Sequence, residues 1–470
     1  MSRHENHAVA DARAAAPTAG TRPAPAPANP ETRPIVYVFA VLGGLAGLLY
    51  GYDSGAISLA LPDISTQFGL SPTLEGLIVS FLLFGALPSI AVATMMEKKI
   101  ERRNLLIVGA VIFAVGSLGC ALAPTPAILM GFRFILGMAA GIANMFGLIY
   151  LSELAPAHLR GMMASLYQLS VNFGILISYG VGHYFSLDGR WEWTLGLGLV
   201  PAVIFGVGMA LSPQSPRWLI RDGQIEKARK TLHRVRSTDE EVDREVADIQ
   251  VSLQSQEAGF KELFGTFRPV VMLAFVLVIF QVFTGINAAV YYAPKIFEHL
   301  GMGANAGIIA NYGVGIALVV STLVSLPFID RWGRKKLLAI SLGGQIPPLL
   351  ALTFFADTHA TVAIIAVFLF VFAFGFGLGP VFWSYVPEIF PLRARALGVG
   401  IITFAQYTMN ALLSLIFPDL IAAIGTGVFL IFAVMSAIAV WFILTRVIET
   451  KGKTLEEIEA YWQETADVKS

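Results

Sequence analysis

Residues 43–57 read Gly-Gly-Leu-Ala-Gly-Leu-Leu-Tyr-Gly-Tyr-Asp-Ser-Gly-Ala-Ile, in the middle of an apolar stretch running from 35 to 61. A bilayer core is crossed by a helix of about twenty apolar residues, so this stretch is long enough to span one. Gly43, Gly47, Gly51 and Gly55 recur every fourth residue and so line one helix face. Small residues on one face let a second helix approach closely. The full phosphate-loop pattern Gly-x-x-x-x-Gly-Lys-Ser/Thr occurs nowhere in the chain, which argues against ATP-driven work. Asp53 is the one acid in this helix. Holding it ionised in a membrane costs at least ~2.5–3.5 kcal/mol, so it is expected to face the interior of a helix bundle beside a partner.

Stretches of the same kind recur near 74–96, 104–123, 127–150, 161–186 and 194–211. After a polar interval they resume near 269–292, 307–329, 337–356, 362–386, 396–417 and 426–446. The expected fold class is an all-α membrane protein with twelve transmembrane helices in two six-helix bundles. Composition agrees, with 14% charged residues against roughly 25% in soluble domains and a mean hydropathy of +0.70. The zero net charge argues against a nucleic-acid partner. The single cysteine, Cys120, leaves no disulfide framework, thiolate metal site or redox pair, and reads as a small buried hydrophobe.

Lys and Arg concentrate in cytoplasmic loops. With both termini inside, all but three of the 32 fall in cytoplasmic segments, the exceptions being Arg133, Arg190 and Lys295. The expected organisation is a disordered cytoplasmic tail over 1–34, a bundle over 35–211 and cytoplasmic amphipathic helices over 212–268. A second bundle over 269–446 and a cytoplasmic tail over 447–470 follow. No signal-peptide core lies near Met1, so the first span should stay uncleaved. In the interval between the bundles, Ala228, Leu232 and Val235 keep helical spacing, and Thr238-Asp239-Glu240-Glu241 has the form of a capping box.

The halves echo each other. Arg102-Arg103 before the third span corresponds to Arg334-Lys335 before the ninth, and Glu153 with Arg160 corresponds to Glu388 with Arg395. Pro213-Gln214-Ser215 corresponds to Ile448-Glu449-Thr450. Two parallel halves form one of the transporter architectures, with the solute site at mid-membrane between them. Charges repeated at the cytoplasmic ends suit a gate that closes one side.

The chain resembles the sugar porter family of the major facilitator superfamily over nearly all of 35–460. The matching stretches include Gly51-Tyr52-Asp53-Ser54-Gly55, Gly131-Phe132-Arg133, Pro213-Gln214-Ser215-Pro216-Arg217 and Gly285-Ile286-Asn287. Later come Asp330-Arg331-Trp332-Gly333-Arg334, Gly379-Pro380-Val381-Phe382-Trp383, Pro387-Glu388-Ile389-Phe390-Pro391 and Glu449-Thr450-Lys451-Gly452. The chain departs from the family pattern in the first half, where Lys98 stands for the usual Asp and Glu101 for the second Gly. Gln214 replaces the usual Glu, and Ile448 the usual Pro. These departures bear on how the first-half latch is wired.

The resemblance implies a major facilitator fold and a secondary active transporter, not an enzyme, working by alternating access. Proton coupling is implied for Asp53 and Arg133, the only base inside a span. Burial favours a neutral carboxyl and a neighbouring Arg the carboxylate, so such a group can take up or release a proton as access changes. A sugar needs amides and hydroxyls beside an aromatic platform. Candidates are Gln168, Asn172, Gln281, Asn287, Tyr291, Trp383, Gln406 and Asn410; of these, Gln168, Gln281, Asn287, Trp383 and Gln406 fall at the family's sugar-contacting positions. Gate candidates are Arg102, Arg103, Glu153, Arg160, Asp330, Arg334, Glu388, Arg395 and Glu449. Val282, Leu318 and Ile175 stand where family members carry polar groups, so a pentose, a smaller polyol or a less polar solute is expected. No cofactor or metal is expected; the partners are a sugar or polyol, a proton and the inner-membrane bilayer, with the protein acting as a monomer. A passive facilitator, an organic-acid porter, a membrane sugar sensor and a membrane-embedded enzyme are the competing readings. Asp53 tells against the first, the lack of a second pocket cation against the second, the short C-terminal tail against the third and the lack of a nucleophile–base set against the fourth.

Overall fold

A computed structural model of the chain describes residues 34–96, 100–155, 160–254, 258–299, 304–356, 358–391, 393–452, 457–458 and 461–462. The expected disordered tail, apart from its last residue, lies outside the described residues, as does most of 453–470. Six passes come first: α1 (Pro34–Phe68), α2 (Pro72–Met96), α3 (Arg102–Ala121), α4 (Pro126–Leu154), α5 (Arg160–Ser186), and the pair α6 (Trp191–Gly196) and α7 (Leu199–Leu211). Four short helices follow: α8 (Pro216–Arg221), α9 (Ile225–Val235), α10 (Asp239–Gln254) and α11 (Phe260–Phe264). The second set comprises α12 (Arg268–Phe283) with α13 (Ile286–His299), α14 (Ala304–Trp332), α15 (Arg334–Phe355), α16 (Ala360–Phe376) with α17 (Leu378–Ile389), α18 (Arg395–Ile424) and α19 (Gly427–Arg446).

Eleven of the twelve passes are long and apolar enough to cross a membrane. The remaining one, α5, has 27 residues and ample length. It is more polar because Asn172 and His183 bond to α14, Ser178 packs on Gly55 of α1 and Gln168 faces a cavity, none of them needing to meet lipid. The chain is a multi-pass membrane protein, with twelve passes among the described residues.

Lipid is as apolar as leucine, so close packing must hold such helices together. The glycine face of α1 supplies it. A Cβ at Gly51 would lie 1.9 Å from the Val171 carbonyl oxygen, one at Gly55 2.0 Å from Ser178 Oγ, and one at Gly47 2.7 Å from the Tyr167 carbonyl oxygen. Gly174 of α5 answers from the other side, where a Cβ would meet the Leu48 carbonyl oxygen at 2.4 Å. The two backbones therefore touch over about two turns.

Besides the sixth pass, split at Leu197-Gly198 between α6 and α7, two passes are broken where the sequence suggests continuous spans. Between α12 and α13, Gly285 takes φ +92, in a place where a Cβ would run into Phe432 at 2.3 Å. Between α16 and α17 the chain turns at Gly377, and the freed Leu378 amide donates to Ser341 Oγ at 2.9 Å. Apolar composition runs through both breaks, which hides them from a hydropathy reading. Irregular backbone at this depth is tolerated where it is buried in protein or lines a cavity.

The short helices form a layer at one end. Leu219, Ile220, Ala228, Leu232, Val242 and Val246 make a small core of their own. Buried Arg236 ties the layer to the end of α4 by donating to the Leu154 and Ala155 carbonyls at 3.0 and 3.2 Å. The Glu241 amide donates to Thr238 Oγ1 at 3.2 Å, and the Glu241 carboxylate accepts from the Ser237 amide at 3.2 Å, so α10 starts with its end groups satisfied.

The seam sets an expectation. Gly51→Ala forces two backbones apart, and overpacking of this kind costs about 1–3 kcal/mol or more. Gly180→Ala, in the same helix pair but with nothing within 4 Å of the added carbon, should be neutral or stabilising. Thermal unfolding of the purified proteins in detergent should show Gly51→Ala clearly lowered and Gly180→Ala not. Equal midpoints would remove the seam from the packing.

Candidate functional site

The two bundles enclose a cavity of about 110 Å³ whose wall is drawn from α1, α4 and α5 on one side and from α12, α13, α14, α16, α17 and α18 on the other. Gln168, Gln281, Asn287, Tyr291, Trp383 and Gln406 all line it. Gln406 donates to Gln281 at 3.3 Å, and Gln168 donates to Asn172 at 3.3 Å. Asn172 in turn donates to Thr322 Oγ1 at 2.8 Å and the Leu318 carbonyl at 3.1 Å, bridging the bundles through α5 and α14. Asn410 does not line the cavity: it is fully buried behind the wall, where its amide donates to the Tyr291 hydroxyl at 3.3 Å.

Leu318 and Ile175 line the wall, whereas Val282 is fully buried and does not. Val282 packs inside the protein instead of facing the cavity beside Gln281. The wall also carries polar groups at positions the sequence did not single out. Tyr50, Ser54, Asn144, Tyr167, Thr322 and Tyr407 are among them. Tyr50 and Tyr291 share a hydroxyl–hydroxyl bond of 3.2 Å across the bundles. The Tyr167 hydroxyl and the Asn287 Nδ2 are buried with no hydrogen-bond partner among the described residues. A buried group left so costs about 1–3 kcal/mol unless something completes it.

Asp53 sits one residue from the cavity-lining Ser54, and Arg133 lies beside it within the first bundle. Both side chains are almost wholly buried. The guanidinium faces the carboxylate with two contacts of 3.4 Å, longer than the ~2.7–2.9 Å of a tight charge-assisted bond. Its Nε is anchored on the Ile78 carbonyl of α2 at 2.6 Å.

The profile of the family described as "Sugar (and other) transporter" matches residues 38–462. The chain belongs to this family. Among its family relatives, the D-xylose transporter of Levilactobacillus brevis is 37% identical over 435 residues, covering 90% of this chain and 94% of the relative. The galactose-proton symporter of Escherichia coli is 33% identical over 440 residues, covering 91% and 95%. The solved structure of the proton:xylose symporter XylE bound to 6-bromo-6-deoxy-D-glucose superposes with a TM-score of 0.79 at 29% identity, covering 91% of this chain and 99% of that one.

At the end carrying α8–α11, the repeated charges of this family member pair within each bundle. Glu153 contacts Arg102 at 3.4 Å, and Glu388 contacts Arg334 at 3.0 Å. Each glutamate thus contacts the arginine that opens the preceding pass, Arg102 of α3 or Arg334 of α15. Arg395 donates to the Phe390 carbonyl at 3.5 Å, and the side chains of Arg160 and Asp330 lie outside the described residues. Arg103 donates to the Ser212 carbonyl at 2.9 Å, and Glu449 accepts from the Arg334 and Lys335 amides.

At the opposite end an unforeseen pair joins the bundles. Glu75 of α2, its side chain 3% exposed, accepts from Lys295 of α13 and from Ser65 Oγ at 2.5 Å. Nearby, Thr73 donates to Asp419 of α18 at 3.0–3.1 Å. Glu75 escapes notice in the sequence because an acid in the first turn of a helix is an ordinary terminal charge. Removing one member of a buried pair strands the other, at about 3–5 kcal/mol. Lys295→Met should therefore lower the thermal midpoint, and adding Glu75→Gln should recover most of the loss. A double variant no better than Lys295→Met would show that the two charges do not depend on each other.

Proposed function

We propose that the protein is a proton symporter of a monosaccharide or polyol, working by alternating access around the cavity between its bundles. The observation that carries this reading is the buried Asp53–Arg133 pair one residue from a wall rich in amides and hydroxyls. A carboxyl held between desolvation and a guanidinium changes its proton occupancy when water reaches it from a different side. Movement of one bundle against the other supplies that change.

In this reading Gln168, Gln281, Asn287 and Gln406 bond the solute hydroxyls and Trp383 stacks under the ring. Tyr50, Tyr167 and Tyr407 add hydroxyls, and Asn410 acts through Tyr291 as a positioning residue. Leu318 and Ile175 leave part of the wall apolar, which suits a pentose better than a fully hydroxylated hexose. The D-xylose and galactose named for the relatives support a monosaccharide, and the words "proton" and "symporter" in two of those names support the coupling. The charge bias of the loops supports both termini in the cytoplasm; residence in the inner membrane and a monomeric working unit belong to the same reading. Arg102–Glu153 and Arg334–Glu388 act as the cytoplasmic gate by holding each bundle's helix ends in register.

Asp53→Asn should abolish concentrative, pH-driven uptake of D-xylose into proteoliposomes while sparing counterflow, because exchange needs no net proton movement. Uphill accumulation by the variant would overturn the coupling role. Trp383→Ala should raise the half-saturating D-xylose concentration for counterflow about tenfold, equivalent to ~1.4 kcal/mol, with little change in the unfolding midpoint. Unchanged saturation would return the indole to packing.

A further inference from the structure

Both bundles end in the same polar network on the α8–α11 side, with one part in a different place. In the first, the Tyr150 hydroxyl donates to the Pro213 carbonyl at 2.6 Å, Ser215 Oγ donates to Glu153 at 2.5 Å, and Arg102 pairs with Glu153. In the second, Tyr385 donates to the Ile448 carbonyl at 2.9 Å, Thr450 donates to Glu388 at 2.6 Å, and Arg334 pairs with Glu388. These matched bonds fix the correspondence atom by atom. They set Gln214 on Glu449 and Glu101 on Gly333.

The second network is closed by Glu449, whose carboxylate accepts the first free amides of α15, from Arg334 at 2.9 Å and Lys335 at 3.1 Å. The carboxylate needs the space over residue 333. Gly333 has φ +86, and a Cβ there would lie 2.5 Å from Glu449 Oε2. In the first network the residue at that place has φ −71 and ψ 125, ordinary extended backbone open to any side chain. It is Glu101, buried, and its own carboxylate accepts from the Arg103 amide at 3.1 Å and the Asn104 amide at 2.8 Å. The same carboxylate lies 3.4 Å from the Ser215 amide, reaching the segment that leads into α8.

We infer that Glu101 and Gln214 form a matched exchange: the carboxylate that caps α3 and closes the first network has moved from position 214 to position 101. Glu101 is thus a positioning residue for the first-bundle gate, holding the start of α3 and the start of α8 against Arg102 and Glu153. A helix N-terminus is satisfied by one carboxylate. A second, brought in at 214, meets like charge and finds the Arg103 amide, one of the two it would take, already bonded. The pair therefore works as Glu/Gln or as Gly/Glu, and as neither other combination.

Four proteins test this: wild type, Glu101→Gly, Gln214→Glu and the double variant. Each is read by its unfolding midpoint in detergent and by D-xylose counterflow in proteoliposomes. Each single variant should lower the midpoint by about 2 °C or more and slow counterflow about threefold or more, whereas the double should return both to near the wild-type value. The telling feature is a change of sign: Gln214→Glu harms the wild type and repairs Glu101→Gly, which a general packing role for either residue does not produce. If Glu101→Gly cannot be purified, the double should restore purification. A double variant as poor as its worse parent, or a Glu101→Gly protein indistinguishable from wild type, overturns the inference. The midpoints do not depend on which solute is carried, so silent counterflow with rescued midpoints would count against the proposed substrate alone.

Discussion

Two opposite charges placed in an apolar bundle constrain everything near them. Neither Asp53 nor Arg133 is tolerable alone at that depth. The glycine seam lets α1 lie directly on the α5 backbone, while α2 offers the Ile78 carbonyl to the guanidinium. The carboxylate contacts stop at 3.4 Å rather than closing into a tight clamp. In the proposed mechanism such a pair is stable enough to fold and loose enough for a proton to compete with the arginine. Its place next to the cavity-lining Ser54 then makes the charge state of one residue felt at the wall of the cavity.

The duplicated architecture explains the rest of the polar inventory. Each bundle carries its own network of Arg, Glu, Tyr and hydroxyl at the α8–α11 end, so the two can move as units without breaking internal bonds. Contacts that cross between bundles are of another kind: Glu75 with Lys295, Thr73 with Asp419, Tyr50 with Tyr291, and Asn172 with Thr322. These are the ones that must open when access changes. The charges proposed as the gate brace each bundle from within, and the bonds between bundles described above come from residues with no conspicuous motif.

Twelve apolar stretches and the lone charges within them are legible in the sequence, because a bilayer makes length and charge unmistakable. Gln168, Gln281, Gln406 and Trp383 stand out for the same reason, being polar or amphipathic groups in apolar runs. Tyr50, Tyr167 and Tyr407 do not, since a tyrosine in a membrane helix is as much a packing residue as a hydroxyl donor. The breaks at Gly285 and Gly377 leave hydropathy unchanged and so leave no trace in it. Val282 is buried in the packing and does not reach the cavity wall, which an apolar residue in an apolar run gives no sign of. The exchange of Glu101 with Gln214 is visible as two separate departures from the family pattern, but only the distances to the α3 amides join them.

The claim on which the rest turns is that the proton travels with the solute. The direct measurement is of internal pH in proteoliposomes given a D-xylose gradient and no ion gradient, with the membrane potential clamped. Acidification of the lumen in step with D-xylose entry is the expected result. Entry of D-xylose with no movement of protons would contradict it.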